Sequence, residues 1–300
     1  MLILNRAARV KDNLTAYGFL SPWFIGFLIF TGGPIIASIV ISLTRWNLLS
    51  PPTFVGFNNY MAMFTSGSGF LNALRATFLY TIISVMVSVT ASLFMAVLLN
   101  FKLKFLGIFQ FFFFVPAVMP SVALAFVFQL IFEQHIGILN YGLSVLGVGI
   151  QPNWLNDPFW VWVSLGIVTI FTYSTGQMML IFNAALKDVP QHLYEAADIE
   201  GAGFLQRFWH VTVPYISPMI LFNVVVGTVN SFNTAFSIIF PLTAGGPASE
   251  TTVLSLELYN SAFRMFNMGM ASAVATVLFI IVASVGALQF RLSKRLVHYD

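Results

Sequence analysis

The chain has 300 residues, of which 58% are hydrophobic and only 8% charged, with a mean hydropathy of +0.88 and a net charge of +3. That much apolar side chain cannot be hidden in a soluble core, so the composition excludes a soluble globular domain and points to an integral membrane protein. With no cysteine, a disulfide framework, a thiolate metal site and a cysteine nucleophile are excluded as well.

A short basic segment, residues 1–16, precedes the first apolar run. Six spans are then predicted: Tyr17 to Leu43, Thr77 to Leu99, Phe105 to Phe132, Phe159 to Leu186, Val211 to Phe240 and Met268 to Phe290. Each is long enough to cross about 30 Å of hydrocarbon as a helix. The first is too long for a signal-peptide core and lacks a small-residue cleavage site, so it is read as retained. Residues 17–290 thus form one six-helix, all-α membrane domain, and residues 291–300 a tail. Pro22 and Pro34, Pro116 and Pro120, and Pro214 and Pro218 punctuate the first, third and fifth spans, where each removes a backbone donor and is expected to bend its helix.

Lysine and arginine set the orientation. With the N-terminus inside, Arg6, Arg9, Lys11, Lys102, Lys104, Lys187, Arg207, Arg291, Lys294 and Arg295 lie on the cytoplasmic side, and Arg45, Arg75 and Arg264 outside. Both termini are then cytoplasmic. This asymmetry accounts for the positive charge, and no nucleic-acid partner is implied.

No Asp, Glu, Lys or Arg falls within the six spans, which argues against an ion-coupled carrier, since such carriers place ionisable residues or broken-helix ion sites at mid-membrane. No metalloprotease, Walker or nucleophile-elbow motif occurs. His135, His192, His210 and His298 all lie in loops or at span ends, so no metal centre is expected. The spans instead carry neutral polarity. Asn230, Ser231, Asn233, Thr234 and Ser237 crowd the fifth, interleaved with Phe232 and Phe236, and Thr172, Tyr173, Ser174, Thr175 and Gln177 lie in the fourth. Asn230 and Asn233 share a helical face with Ser237 one turn on. Amides beside aromatic rings suit a polyhydroxylated solute, and Tyr173, Gln177 and Gln129 are further candidates for such a surface; bonding between helices of partner subunits is the competing use.

Between the fourth and fifth spans, Lys187 to His210 (KDVPQHLYEAADIEGAGFLQRFWH) forms a long polar interruption that nevertheless reads as ordered. Asp188 can cap a helix with Pro190 in its first turn and Gln191 three residues after the cap. Gly201 and Gly203 permit a bend, after which Phe204, Phe208 and Val211 recur at helical spacing. The expected result is a helix-turn-helix hairpin at a membrane face.

Within that hairpin, Tyr194-Glu195-Ala196-Ala197, then Gly201-Ala202, then Phe208 and Pro214 resemble the EAA motif of permease subunits of binding-protein-dependent ABC importers. Glu200 stands where that family usually carries Asp. Phe54-Val55-Gly56-Phe57-Asn58-Asn59-Tyr60 and Leu242-Thr243-Ala244-Gly245-Gly246-Pro247 are similar to outer-loop segments of its sugar branch, the maltose and glycerol-3-phosphate type. The resemblance implies a type I importer fold whose hairpin is a coupling helix docking on an ATPase subunit. It further implies a bacterial inner-membrane complex of this chain with a second permease, two ATPase subunits and an extracytoplasmic solute-binding protein. ATP and magnesium would be bound by the ATPases, with no cofactor on this chain. The fifth span, with Asn230, Asn233, Phe236 and Ser237, would line the path of a sugar or oligosaccharide. A glycerol-phosphate ester is the alternative cargo, although a phosphate calls for cations that this path lacks.

Overall fold

The computed structural model describes residues 2–65, 67–101, 107–108, 111, 114–115 and 118–296, with side chains from residue 15 to 291 apart from Tyr173. Its principal helices are α1 (Leu2–Phe27), α2 (Gly33–Ser42), α3 (Phe70–Asn100), α4 (Ser121–Ile131), α5 (Trp160–Ile170), α6 (Tyr173–Lys187), α7 (Gln191–Ile199), α8 (Phe204–Arg207), α9 (Val213–Thr243) and α10 (Met268–Leu296). Apolar runs in lipid must satisfy every backbone group internally, and helices do so. Among the described residues, four continuous helical stretches are long and apolar enough to cross a bilayer: Thr15–Ser42, Phe70–Asn100, Phe204–Thr243 and Met268–Arg291. A fifth crossing is available to α5 and α6 taken together, which meet at a 52° bend. The expected third span, Phe105 to Phe132, lies partly outside the described residues, and its described helix is the 11-residue α4.

Two prolines expected to bend their helices are absorbed differently. Pro34 and Pro214 each sit second in an α-helix, behind the π-helical turns Leu28–Gly32 and Phe208–Thr212. A proline ring collides with the carbonyl four residues back, and a widened turn makes room without interrupting the helix. Pro120 instead stands immediately before α4, in extended conformation.

The chain divides into two compact units. Unit one comprises Met1–Ala62 and Leu258–Val277. Here the Phe54–Tyr60 segment works as a clasp. A two-residue antiparallel ladder pairs Thr44 with Phe54 and Arg45 with Thr53, a small departure from an all-α chain. Gly56 takes a left-handed turn at φ +59. Asn59 Nδ2 then donates to the carbonyls of Ser42 (2.7 Å) and Thr44 (2.9 Å), and the Tyr60 hydroxyl lies 2.7 Å from Ser42 Oγ. These bonds satisfy carbonyls that the end of α2 leaves open. At the start of α10, the Met268 amide donates to Trp46 O at 2.8 Å, and Gly269 lies so close that a Cβ there would sit 2.0 Å from Thr44 O.

Unit two comprises Met63–Glu257 and Leu278–Asp300, and α3 is its central helix, packed against α5, α6 and α9. The buried side of α3 carries Ala73, Thr77, Thr81, Ser84, Ser88, Ser92 and Ala96, three or four residues apart. Small residues on one stripe let neighbouring helices approach closely, which is how helices associate where lipid gives no hydrophobic driving force. Thr77 donates to Ala73 O (2.7 Å) while accepting from the Leu254 amide (2.8 Å), and Ser92 donates to Val89 O (3.0 Å), whereas the buried Thr81 hydroxyl has no partner among the described residues. Gly227 of α9 serves the same close approach, since a Cβ there would meet Met178 Cε at 2.5 Å. Below this crossing Met178, Met179, Phe182, Ala185 and Ile216 form a buried cluster with Ala96 and Leu99.

The loop of residues 133–158 is organised by Asn140, which is 3% exposed. Its Nδ2 donates to Gln134 O (2.9 Å) and Pro152 O (3.1 Å), and its Oδ1 accepts from Trp154 Nε1 (2.8 Å). Nearby, the Glu133 carboxylate accepts from the amides of Ile136 (2.7 Å) and His135 (2.6 Å), which holds its pKa below the ordinary carboxyl value. That contribution to loop order is present at neutral pH and is lost as pH falls through the lowered pKa.

Candidate coupling hairpin and polar helix faces

Residues 187–210 form a helix-turn-helix. The first arm, α7, ends in a Schellman motif, with the Ala202 amide donating to Ala197 O (2.9 Å) and the Gly201 amide to Asp198 O (3.0 Å). Gly201 adopts φ +78, the left-handed conformation that this motif requires of its reversing residue. The Gly203 amide then donates to Gln206 Oε1 at 2.8 Å and so caps the second arm. An ion pair between Arg207 and Asp198 ties the two arms together.

The start of the first arm differs from the sequence expectation. Asp188 closes α6 instead of capping α7, and Pro190, extended at ψ 130, stands before the first helical residue, Gln191. Asp188 is consumed because α6 continues through Lys187, leaving Val189 and Pro190 as the connection. Gln191 therefore has no capping-box role; its Nε2 donates along the helix to Glu195 Oε1 at 2.9 Å.

The EAA residues divide by face. Tyr194 turns towards the membrane helices, packs on the Met178–Phe182 cluster, and places its hydroxyl 2.9 Å from Thr212 Oγ1. Ala197, Ala202 and Phe208 are half-buried. Glu195, Ala196 and Gly201 are exposed, and one turn beyond Glu195 stands Ile199 with 88% of its surface open. Ile199 and the Glu195 carboxylate thus share the open side of an ordered arm.

In α9 the polar cluster separates into two kinds. Ser231 donates to Thr228 O (2.7 Å) and Thr234 to Asn230 O (2.8 Å), so both hydroxyls are spent on the helix backbone. Asn230 and Ser237 are half-buried and Asn233 exposed, and the two asparagine amides bond nothing among the described residues. Phe236 stacks on Phe240 at 5.2 Å and 8°. Gln177 is half-buried and follows the register of the Gly227–Met178 crossing, so it and Asn230 both lie within a turn of that contact. Gln129 on α4, which packs against α9, is exposed. The side chain of Tyr173 lies outside the described residues.

The bend between α5 and α6 falls inside the fourth span, and the carbonyl of Thr169 is its focus. It accepts from the hydroxyls of Thr172 and Thr175, both at 2.8 Å, and from the Thr172 amide at 3.1 Å. Thr175 Oγ1 also lies 2.9 Å from Ser88 Oγ on α3. Side-chain hydroxyls thus replace the backbone bonds that a continuous helix would make.

Residues 88–298 match the family described as the inner-membrane component of binding-protein-dependent transport systems. The chain belongs to that family. It is 36% identical over 292 residues to the probable ABC transporter permease protein YesP of Bacillus subtilis, covering 97% of this chain and 94% of that one. It is also 32% identical over 292 residues to the multiple sugar-binding transport system permease protein MsmF of Streptococcus mutans, covering 96% and 98%. Among solved structures, a bacterial ABC transporter involved in the import of the acidic polysaccharide alginate shares the fold, with TM-score 0.81, 21% identity and coverage of 98% and 100%.

In this inner-membrane component, several residues that organise the site had escaped the sequence reading. The fourth-span break carries no proline; its signal was the run Thr172-Tyr173-Ser174-Thr175-Gly176, five poor helix formers in succession. The Arg207–Asp198 pair is separated by nine residues across a turn, a spacing that no single helix period marks. Asn223 on α9 is fully buried with both amide atoms unbonded among the described residues, and nothing in its apolar flanks signals it.

Proposed function

We propose that the chain is one of two membrane-spanning subunits of an ATP-driven importer for a sugar or oligosaccharide, without an ATPase site of its own. The two-faced hairpin carries this reading: Glu195 and Ile199 are presented outward to a partner, while Tyr194 is bonded and packed into the helix bundle. A push on the outward face is delivered to α6 and α9 through one rigid turn. ATP and magnesium belong to the two ATPase subunits, and an extracytoplasmic protein delivers the solute. Six crossings with both termini cytoplasmic put the hairpin on the ATPase side. A reporter fused after Asp300 should accordingly be active only in the cytoplasm; an externally labelled C-terminus would put the hairpin on the wrong face.

The solute path in this reading runs along Asn230, Asn233, Phe236 and Ser237 of α9, with Gln177, Tyr173 and Gln129 from the neighbouring helices. What supports it is that the two asparagine amides bond nothing among the described residues, whereas the neighbouring Ser231 and Thr234 spend their hydroxyls on the helix backbone. An amide bonded to a solute hydroxyl contributes about 0.5–1.5 kcal/mol, so Asn230→Ala and Asn233→Ala should each lower sugar uptake severalfold in vesicles while the complex still assembles. Should the variants lose the second permease while the complexes that remain transport normally, the amides are interhelical bonds and the path lies elsewhere.

A further inference from the structure

A groove of about 570 Å³ runs along the second unit between α3 and α5. Arg75, Leu79, Ile83 and Val87 line it as one stripe of α3, four residues apart, and Trp162, Gly166 and Ile170 line it from α5 at the same spacing. A Cβ on Gly166 would touch Ile83 Cγ2 at 3.6 Å, so the two walls meet there. At 1.5 Å per residue, the apolar part of the stripe from Leu79 to Val87 is about 12 Å long, less than half of the roughly 30 Å hydrocarbon core. The groove thus fits within one leaflet.

Its charge lies at one end. Arg75 heads the stripe, and Glu250 also lines the groove, from the loop that follows α9. That loop is fastened at the level of Arg75, because the Leu254 amide donates to Thr77 Oγ1 at 2.8 Å, and it is ordered within by the Glu250 amide bonding Pro247 O (2.8 Å) and Thr251 Oγ1 bonding Gly246 O (2.6 Å). Arg75 is exposed and Glu250 half-buried. Neither side chain forms an ion pair or a hydrogen bond among the described residues. Two opposite charges therefore stand unspent at the head of an apolar channel on a membrane-crossing helix.

We propose that this groove binds phosphatidylethanolamine, with the phosphate on Arg75, the ammonium on Glu250 and one acyl chain along Leu79, Ile83 and Val87. An apolar helix of another subunit laid there would bury both charges uncompensated, at high cost. The zwitterionic head compensates both. Phosphatidylglycerol offers Glu250 no cation, and the quaternary ammonium of phosphatidylcholine has no N–H to donate to a carboxylate. By bridging Arg75 and Glu250, the headgroup adds a second tie between α3 and the loop, beside the bond from Leu254 to Thr77. The site requires only that α3 cross a bilayer, and neither the cargo nor the ATPase contact enters.

To test this, the assembled, detergent-purified complex is titrated with phosphatidylethanolamine, phosphatidylcholine and phosphatidylglycerol brominated on their acyl chains, reading the quenching of tryptophan fluorescence. Phosphatidylethanolamine should saturate at about tenfold lower concentration than the other two, and Trp162→Phe should remove most of that quenching. Arg75→Gln should weaken all three lipids. Glu250→Gln should weaken phosphatidylethanolamine to the level of phosphatidylcholine and leave phosphatidylcholine unchanged, a selective loss that general loosening of the loop would not give. Equal affinity of the wild type for the three lipids, equal loss of phosphatidylethanolamine and phosphatidylcholine in Glu250→Gln, or quenching unaffected by Trp162→Phe would overturn the proposal. So would the absence of saturable quenching by any of the three, since the groove would then be covered by a neighbouring subunit.

Discussion

Glu195→Lys should abolish the stimulation of ATP hydrolysis by solute in the reconstituted complex while leaving the chain inserted and folded. Glu195 is exposed, and its one bond within the chain is the acceptance from Gln191 along α7, so the substitution removes a weak helical pair worth about 0.2–0.5 kcal/mol. Stability is therefore spared. What changes is the sign of the charge on the face proposed to meet the ATPase, one turn from Ile199, where a charge matched to Glu195 would become a like-charge clash costing several kcal/mol. Gly201→Asp attacks the same contact by another route, because a side chain at φ +78 must either strain or dissolve the Schellman turn that aims α7. Solute-stimulated hydrolysis at the wild-type level in both variants would remove the hairpin from the mechanism.

Asn140→Leu should strongly destabilise the loop of residues 133–158. Leucine fills nearly the same volume but strands the buried Trp154 indole N–H and the carbonyls of Gln134 and Pro152. At about 1–3 kcal/mol for each of the three groups left unsatisfied, the loss is about 3–9 kcal/mol, enough to melt residues 133–158 locally. Limited proteolysis should then cut within that loop under conditions where the wild type resists, and the Trp154 emission should shift to the red. A variant as resistant as wild type would show that the asparagine bonds are replaced by water at little cost.

These two residues also show what the sequence discloses. Glu195 was legible because its neighbours carry chemistry in order: a tetrapeptide, a glycine pair and a proline at fixed spacing, each answering to a helix, a turn or a bend that local rules describe. The Gly201 turn formed where expected for that reason. Asn140 carries no such signal, since its partners Gln134, Pro152 and Trp154 lie six to fourteen residues away and are brought together by the fold. Asp188 failed as a cap because whether α6 ends before or after it is decided by packing against α3 and α9. The apolar helices were plain from composition, and the run of poor helix formers at residues 172–176 marks the 52° bend, but its bond to Ser88 on another helix has no local pattern to announce it. Prolines marked Pro34 and Pro214 correctly as special places, yet the backbone answered with π turns.

The bond between Thr175 and Ser88 bridges 87 residues, and it fixes an order of events during synthesis. Ribosomes deliver α3 to the membrane long before the second half of the fourth span exists. When α6 leaves the exit tunnel, the hydroxyl that supports its bend is already embedded and waiting. The local bonds on Thr169 O can form as soon as α6 is made, and the bond to Ser88 then joins the bend to a helix synthesised earlier.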